Sequence, residues 1–295
     1  MTHMTTVTAC DHILRAGNTN CAGCGMSVGL QLLEQGLGAT RPTLAIPACC
    51  GIVTAGAFPT SGYAVPVAAT TFASAPAVAT GLSIVYELNR DPHPVVCWAG
   101  DGGTYDIGIA TLSAAAERNE NIIYICYDNE IYGNTGGQRS SATPEGVRTS
   151  TTPRGKAERK KDILAIMAAH RIPYAATLSV AHRDDFLRKV RTALSIRGFR
   201  FLLMLSPCPT GWKSEPEESV DLIDLAVRCG LFPLIEIFDG RRYRINVRPD
   251  GTPLDAYTSR QRRYASTEID MDRLKASIAD DWQQLDMLAR VFPAK

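Results

Sequence analysis

The sequence has no apolar run approaching the ~18 residues that a membrane span needs. It also has almost no net charge, 31 Lys and Arg against 30 Asp and Glu leaving +1. The first absence excludes a membrane-spanning helix. The second gives no basic footprint for nucleic acid, and an aromatic content of only 7% adds nothing in its favour. The opening MTHMTTVTAC lacks the charged-then-apolar order of a secretory signal, so a cytoplasmic location is expected. At 295 residues, 45% hydrophobic and 21% charged, the chain has room for one large soluble domain or two modest ones.

What it has in excess is cysteine, nine in all. In a reducing compartment, free, metal-bound or catalytic thiols outrank disulfides. Cys97 and Cys126 fall inside strand-like runs (PVVCWAG, IIYICYD) and are expected to be small buried residues. Cys10 and Cys229 carry no context and are expected to be structural too. Cys21, Cys24, Cys49, Cys50 and Cys208 remain.

TLAIPA (43–48), PVVCWAG (94–100), NIIYICYD (121–128), YAATLSV (174–180) and FRFLLMLSP (199–207) have strand character. TYDIGIATLSAAAERN (104–119), DILAIMAAH (162–170) and RDDFLRKVRTALS (183–195) have helix character and lie between them. The order predicts an α/β fold, a parallel sheet with helices on both faces. The first strand opens into a Gly/Ala/Pro-rich loop. After about residue 240 the pattern becomes a hairpin-like GRRYRINVRPDGTPL, a basic arm and a helix near 269–290. This divides the chain into an α/β domain (1–240) and a C-terminal extension (241–295) expected to touch another subunit. Arg241, Arg242, Arg244, Arg248, Arg260, Arg262 and Arg263 face only Asp250 and Asp255 there. They form either a solvated loop or an arm clasping a partner.

In such sheets ligands collect at the carboxyl ends of the strands. Two strands end in polar signatures, AGDGG (99–103) and NEIYGNTGGQRSSATP (129–144). One strand–helix–strand unit separates Asp101 from Asn129, which returns the chain to the neighbouring carboxyl end and sets the two side by side. A carboxylate with an amide oxygen suits magnesium, which completes its shell with phosphate and water. The glycines bring backbone N–H groups to a diphosphate, and the following helix aims its positive end there. Two ordinary turns would also use these residue types.

The pattern resembles the thiamine diphosphate fingerprint, GDG followed one βαβ unit later by Asn. That resemblance implies that Asp101, the Asn129 side chain and the Ile131 carbonyl hold the metal. It also implies that Gly100, Gly102 and Gly103 approach the diphosphate by backbone, and that the 129–144 loop covers the cofactor.

Cys21 and Cys24 form C-x-x-C ahead of an amphipathic helix. A redox pair, half a zinc site and half an iron–sulfur site all use that spacing. No strand precedes the motif, against the first, and no second close pair follows, against the second. One pair with the distant singles Cys49 and Cys208 suits a 4Fe-4S cluster cradled by several loops.

CAGCG, AGDGGTYDIG, YDNEIYGNTGGQRSSATP, GKAERKKD and SPCPTGW follow one another in this order. By them the chain, over roughly residues 10–240, resembles the β subunit of 2-oxoacid:ferredoxin oxidoreductases, most closely the pyruvate:ferredoxin oxidoreductase group. The resemblance implies a cluster on Cys21, Cys24, Cys49 and Cys208. The family's spacing selects Cys49 over Cys50 and lets it touch the cofactor as well. Cys50 becomes a packing residue or a thiol beside the cofactor, and Met26 stands where relatives often carry a polar residue. Asn134 is implied as the catalytic residue near the thiazolium and substrate.

The implied reaction is oxidative decarboxylation of a 2-oxoacid, pyruvate first, to acyl-CoA and CO2, with coenzyme A as co-substrate and ferredoxin as acceptor. Phenylglyoxylate, oxalate and 2-oxoglutarate are alternative substrates. The implied partners are an α subunit, source of the glutamate that activates the aminopyrimidine, and γ and ferredoxin-like δ subunits. A non-redox thiamine-dependent decarboxylase would leave the spaced cysteines idle. A non-catalytic iron–sulfur carrier would leave the metal–diphosphate pair idle.

Overall fold

The computed structural model describes residues 12–57, 59, 61–265 and 271–294. Cys10 and the opening residues lie outside them. Eight strands, β1 (Thr43–Ile46), β2 (Val67–Ala69), β3 (Val95–Gly100), β4 (Ile123–Asp128), β5 (Tyr174–Ser179), β6 (Arg200–Leu205), β7 (Leu234–Phe238) and β8 (Arg242–Val247), form one sheet. Its order is β2-β1-β3-β4-β6-β5-β7-β8. The six strands from β2 to β5 pair in parallel, as expected. β7 and β8 depart from the pattern and run antiparallel at one edge.

The reason for that departure is local. Asp239 and Gly240 both have positive φ (53° and 64°), the geometry that closes a tight hairpin. The hairpin expected within GRRYRINVRPDGTPL therefore turns one step earlier, with β8 as its second arm only. The division at residue 240 runs through this hairpin, so the extension is tied into the main sheet.

The helices are α1 (Gly25–Leu37), α2 (Cys50–Val53), α3 (Ala75–Leu88), α4 (Ile109–Glu117), α5 (Ile163–Ala169), α6 (Arg183–Ser195), α7 (Pro209–Trp212), α8 (Ser219–Arg228), α9 (Leu254–Thr258) and α10 (Met271–Val291). Right-handed crossovers put α3, α4 and α5 on one face and α6 on the other. Accordingly α3 packs on α4, and α1 packs on α6. The central strands β3 to β6 are buried along their whole length, Cys97 and Cys126 with them. Met26, Leu30, Leu33 and Leu37 line the buried face of α1, which makes Met26 a core residue.

Two differences from the sequence expectation have physical causes. The helix expected over 104–119 begins as a π-helical turn, Gly102–Asp106, before α4 starts at Ile109. Such turns insert a residue into a helix and recur at functional sites. α3 occupies part of the stretch taken as loop. Its small residues and the exposed Ile84, Val85 and Leu88 blur the helical period.

Among the described residues, five of the seven arginines between 241 and 263 form ion pairs within their own chain. Arg244 reaches Glu236 (3.5 Å), Arg248 Asp286 (2.8 Å), Arg260 Glu218 (3.7 Å) and Arg263 Glu130 (2.8 Å). Arg242 bonds Asp239. Among the described residues no helix is long and apolar enough to cross a membrane.

Candidate active site

The expected site residues gather at the carboxyl ends of four consecutive strands. β1 leads to Cys49 and Cys50, β3 to Asp101, β4 to Asn129, and β6 to Cys208. The registers Gly100↔Tyr127 and Asp128↔Leu205 keep these ends level.

Asp101, Asn129 and Ile131 meet at one point. A terminal atom of the Asn129 amide lies 2.8 Å from the Ile131 carbonyl oxygen and 3.0 Å from Asp101 Oδ1. Adjacent oxygens around octahedral magnesium lie about 2.9 Å apart, from metal–oxygen bonds near 2.1 Å. With the amide oxygen turned inward, it accepts only a long bond from the Ile131 N–H (3.4 Å) while facing two further acceptors, an arrangement that a cation relieves. With the nitrogen inward, the amide itself bridges the other two.

Asp101 is 2% exposed. Burial, with Asp128 nearby, raises its carboxyl well above the ordinary range, against the lowering from Ser140 and Lys160. The Ser140 hydroxyl donates to Asp101 Oδ2. A divalent cation would reverse that shift, so the residues fit magnesium.

The glycines of GDGG serve close packing as well as backbone access. A Cβ on Gly102 would sit 2.0 Å from the Tyr132 ring, and one on Gly103 3.3 Å from the Phe72 carbonyl oxygen. The 129–144 loop is therefore pressed directly onto the turn that carries Asp101.

Asn134 stands exposed at the tip of this loop. The Tyr132 N–H bonds Gln138 O at 3.0 Å, closing the segment into a small ring. The GKAERKKD motif staples the loop from behind. Lys156 Nζ donates to the carbonyls of Thr143 (2.7 Å) and Arg159 (3.1 Å). Lys160 bridges Asp128 (2.6 Å) and Glu130 (2.8 Å). Lys161 donates to the Tyr105 carbonyl.

The thiols collect beside this point. Gly25 N donates to Pro207 O at 3.0 Å, and a Cβ on Gly25 would lie 2.2 Å from Pro207 Cδ. That contact joins the C-x-x-C turn to the Cys208 turn. Cys208 interacts electrostatically with Cys24 and Cys21, and burial leads the rise of its thiol to about 11.

The adjacent thiols of Cys49 and Cys50 have different neighbours. Cys50 is the thiol that interacts electrostatically with Cys208, Cys49 and Cys24 and neighbours Asn134; burial first, then these thiols, push it to about 12. Cys49 turns its thiol to the Pro47 carbonyl (2.9 Å) and neighbours the Tyr127 hydroxyl. Cys49 N-caps α2 and Cys50 opens it, so one residue of phase decides which thiol faces Cys208. Among the described residues, no three His, Cys, Asp or Glu side chains are drawn close enough to hold a metal ion.

Sequence reasoning passed over Glu130, Ser140, Lys160, Trp212 and the depth of Arg263. Glu130 inside DNEIYG and the dense charge of GKAERKKD, six of whose eight residues are charged, were the available signal for the first and third of these.

A family model described as thiamine pyrophosphate enzyme, C-terminal TPP binding domain, matches residues 48–204. The chain is 41% identical over 292 residues to ketoisovalerate oxidoreductase subunit VorB of Pyrococcus horikoshii, covering 94% of this chain and 93% of that one. It is 40% identical over 283 residues to pyruvate synthase subunit PorB of Methanothermobacter thermautotrophicus, covering 93% and 98%. A solved 2-oxoglutarate:ferredoxin oxidoreductase from Magnetococcus marinus shares the fold. Its TM-score is 0.62 at 22% identity, over 90% of this chain and 94% of that one.

Proposed function

The chain belongs to the β-subunit family of 2-oxoacid:ferredoxin oxidoreductases, thiamine diphosphate-binding oxidoreductase subunits, and we propose that here the cofactor's diphosphate is held through magnesium next to a 4Fe-4S cluster. The convergence of Asp101, Asn129 and Ile131 on one point, adjoining grouped thiols, is the observation that supports it. The three oxygens would hold magnesium, and Gly100, Gly102 and Gly103 would offer their backbone to the diphosphate. Cys21, Cys24 and Cys208 would ligate the cluster, with Cys50 in the position that the family spacing gave to Cys49. Cys49, against Tyr127 and β3, would then border the thiamine.

Bound thiamine diphosphate supplies the electron sink that lets a 2-oxoacid lose CO2. Asn134, exposed beside Cys50, is suited to hold the substrate's carboxylate or carbonyl oxygen. The closed Tyr132–Gln138 ring positions it. The buried wall of Tyr127, Trp98 and Ile46 excludes water from the inner end. Electrons would leave through the cluster to ferredoxin, coenzyme A would take the acyl group, and an α subunit would complete the pocket. γ and δ subunits would complete the assembly.

The substrate we propose is an aliphatic 2-oxoacid, pyruvate or a branched homologue. The names of the two curated relatives, ketoisovalerate oxidoreductase and pyruvate synthase, support this at nearly equal identity. The test is the purified complex, assayed for thiamine diphosphate, magnesium and iron and for ferredoxin reduction with pyruvate, 2-oxoisovalerate and 2-oxoglutarate. One thiamine diphosphate per β subunit and about four or more irons beside it, with reduction on an aliphatic 2-oxoacid, is expected. Thiamine without iron would leave a non-redox decarboxylase.

A further inference from the structure

We infer that Arg263, from the C-terminal extension, is a positioning residue for the magnesium–diphosphate loop, acting through Glu130 and Trp212. Glu130 lies between two of the three converging residues, and its φ of 65° is left-handed, a conformation that side chains with a Cβ disfavour. That single reversed residue is what turns the side chain of Asn129 and the carbonyl of Ile131 toward one point. Something must hold it there.

Its backbone N–H donates to Asp128 Oδ1 at 3.1 Å and its carbonyl accepts from the Thr143 hydroxyl at 2.7 Å, and three further contacts hold its side chain and the peptide before it. The Glu130 carboxylate is 3% exposed, with Oε1 on Lys160 at 2.8 Å and Oε2 on Arg263 Nη2 at 2.8 Å. Arg263 is itself 1% exposed. Its Nε donates to Gln261 Oε1 at 2.8 Å and Nη2 to the Tyr257 hydroxyl at 3.1 Å. Its guanidinium lies 4.1 Å from the centroid of the Trp212 ring. Trp212 Nε1 in turn donates to the Asn129 carbonyl at 2.9 Å. One cation thus grips both sides of the reversed residue, the side chain directly and the preceding peptide through the indole.

The backbone of Arg263 is anchored independently, its carbonyl accepting from Arg148 N at 3.1 Å. Arg263 is thus charge-paired through Nη2 alone, with Nη1 making no hydrogen bond among the described residues, and stacked on an indole; lysine can supply the charge but not the planar stacking. The region matched by the thiamine-binding family model ends at residue 204, so this support comes from outside it.

The inference rests on the magnesium site proposed above, and the experiment separates the two. The purified complex is freed of cofactor, and retained thiamine diphosphate is measured against magnesium concentration. Arg263→Met should raise the magnesium needed for half-retention by about 10–100-fold, the usual range for residues behind a metal ligand. Arg263→Lys should fall between it and the wild type, with iron per complex unchanged in both. Leu285→Ala, buried in α10 of the same extension, should lower the melting temperature and leave the magnesium requirement alone.

An unchanged requirement in Arg263→Met overturns the inference. So does an equal rise in Leu285→Ala, or iron lost in step with magnesium affinity. If Arg263→Met does not assemble, Arg263→Lys decides, and a wild-type requirement in it overturns the inference. A wild-type complex that retains thiamine diphosphate without regard to magnesium removes the magnesium site itself.

Discussion

Asn129 and Ile131 turn a side-chain amide and a main-chain carbonyl to within 2.8 Å of each other across the left-handed Glu130. A non-glycine residue held there costs roughly 1–3 kcal/mol. The two ion pairs on its buried carboxylate offset that cost. Burial alone would raise Glu130, yet Lys160 and Arg263 hold it below the ordinary carboxylate value, so it is charged at neutral pH. The result is an Asn129 amide held against both the Ile131 carbonyl and the Asp101 carboxylate at the sheet's end.

Asp101→Ala removes that carboxylate. A contact to a charged group lost at a buried site costs about 1.5–3 kcal/mol, or roughly 10–100-fold in affinity. The purified variant complex should hold iron near the wild-type amount, little thiamine diphosphate, and no 2-oxoacid-dependent ferredoxin reduction. Excess magnesium and cofactor should restore part of the activity, because the glycine backbone remains. Tightly bound cofactor in this variant would remove Asp101 from the site.

Asn134→Ala leaves the metal and thiol groups untouched, since its side chain is exposed and its ring is closed by backbone bonds. Cofactor and iron should stay, while turnover falls ~10²–10³-fold, the scale for losing one preorganised donor. Single-turnover rates in the loaded complex measure this directly. Near-normal rates would reduce Asn134 to a turn-former.

Much of this was legible in the sequence because βαβ geometry is nearly obligatory. Once a strand–helix–strand unit separates Asp101 from Asn129, parallel pairing sets them side by side. The C-x-x-C and Cys208 turns were equally plain as polar breaks beside core runs. Cys49 against Cys50 was not, because the answer depends on how β1 hands over to α2, a matter of one residue. The pairing of the arginine arm was hidden for a different reason. Local charge counting sees Asp250 and Asp255, whereas Glu130, Glu218 and Asp286 are distant in sequence and brought close only by the fold, and Glu236 and Asp239 belong to the preceding arm and turn of the hairpin.

The thiols give a pH dependence. Cys208 rises from the ordinary 9.0 to about 11, mainly by burial, so the metal-free fold keeps it protonated where an unfolded chain has begun to lose its proton. Stability of the metal-free form tied to this group is therefore full below pH 9 and lost as pH climbs toward 11. Metal takes the thiolate and releases the proton. Iron and sulfide uptake by the depleted complex should accelerate as pH rises from 7 to 9, by up to roughly tenfold per unit. Uptake with a flat pH profile would show that these thiols do not limit assembly.

Cys49 and Cys50 separate in the cleanest test. Cys50 interacts with Cys208 and Cys24, while Cys49 donates to the Pro47 carbonyl and lies against Tyr127. Serine is nearly isosteric with cysteine, so each exchange tests ligation with little change in packing. Cys50→Ser should lower iron per complex and bleach the broad visible absorption of the cluster, while thiamine diphosphate content stays near wild type. Cys49→Ser should keep iron and absorption and alter cofactor retention, because its neighbours are the β3 end and Tyr127 rather than the cysteine turns. Cys97→Ser, far inside β3, should keep both contents and cost stability alone. If iron falls in Cys49→Ser and not in Cys50→Ser, the family spacing holds, and loading must rotate the start of α2 by one residue. That rotation would break the Cys49–Pro47 bond, and crosslinking the two adjacent thiols before and after iron loading would register it.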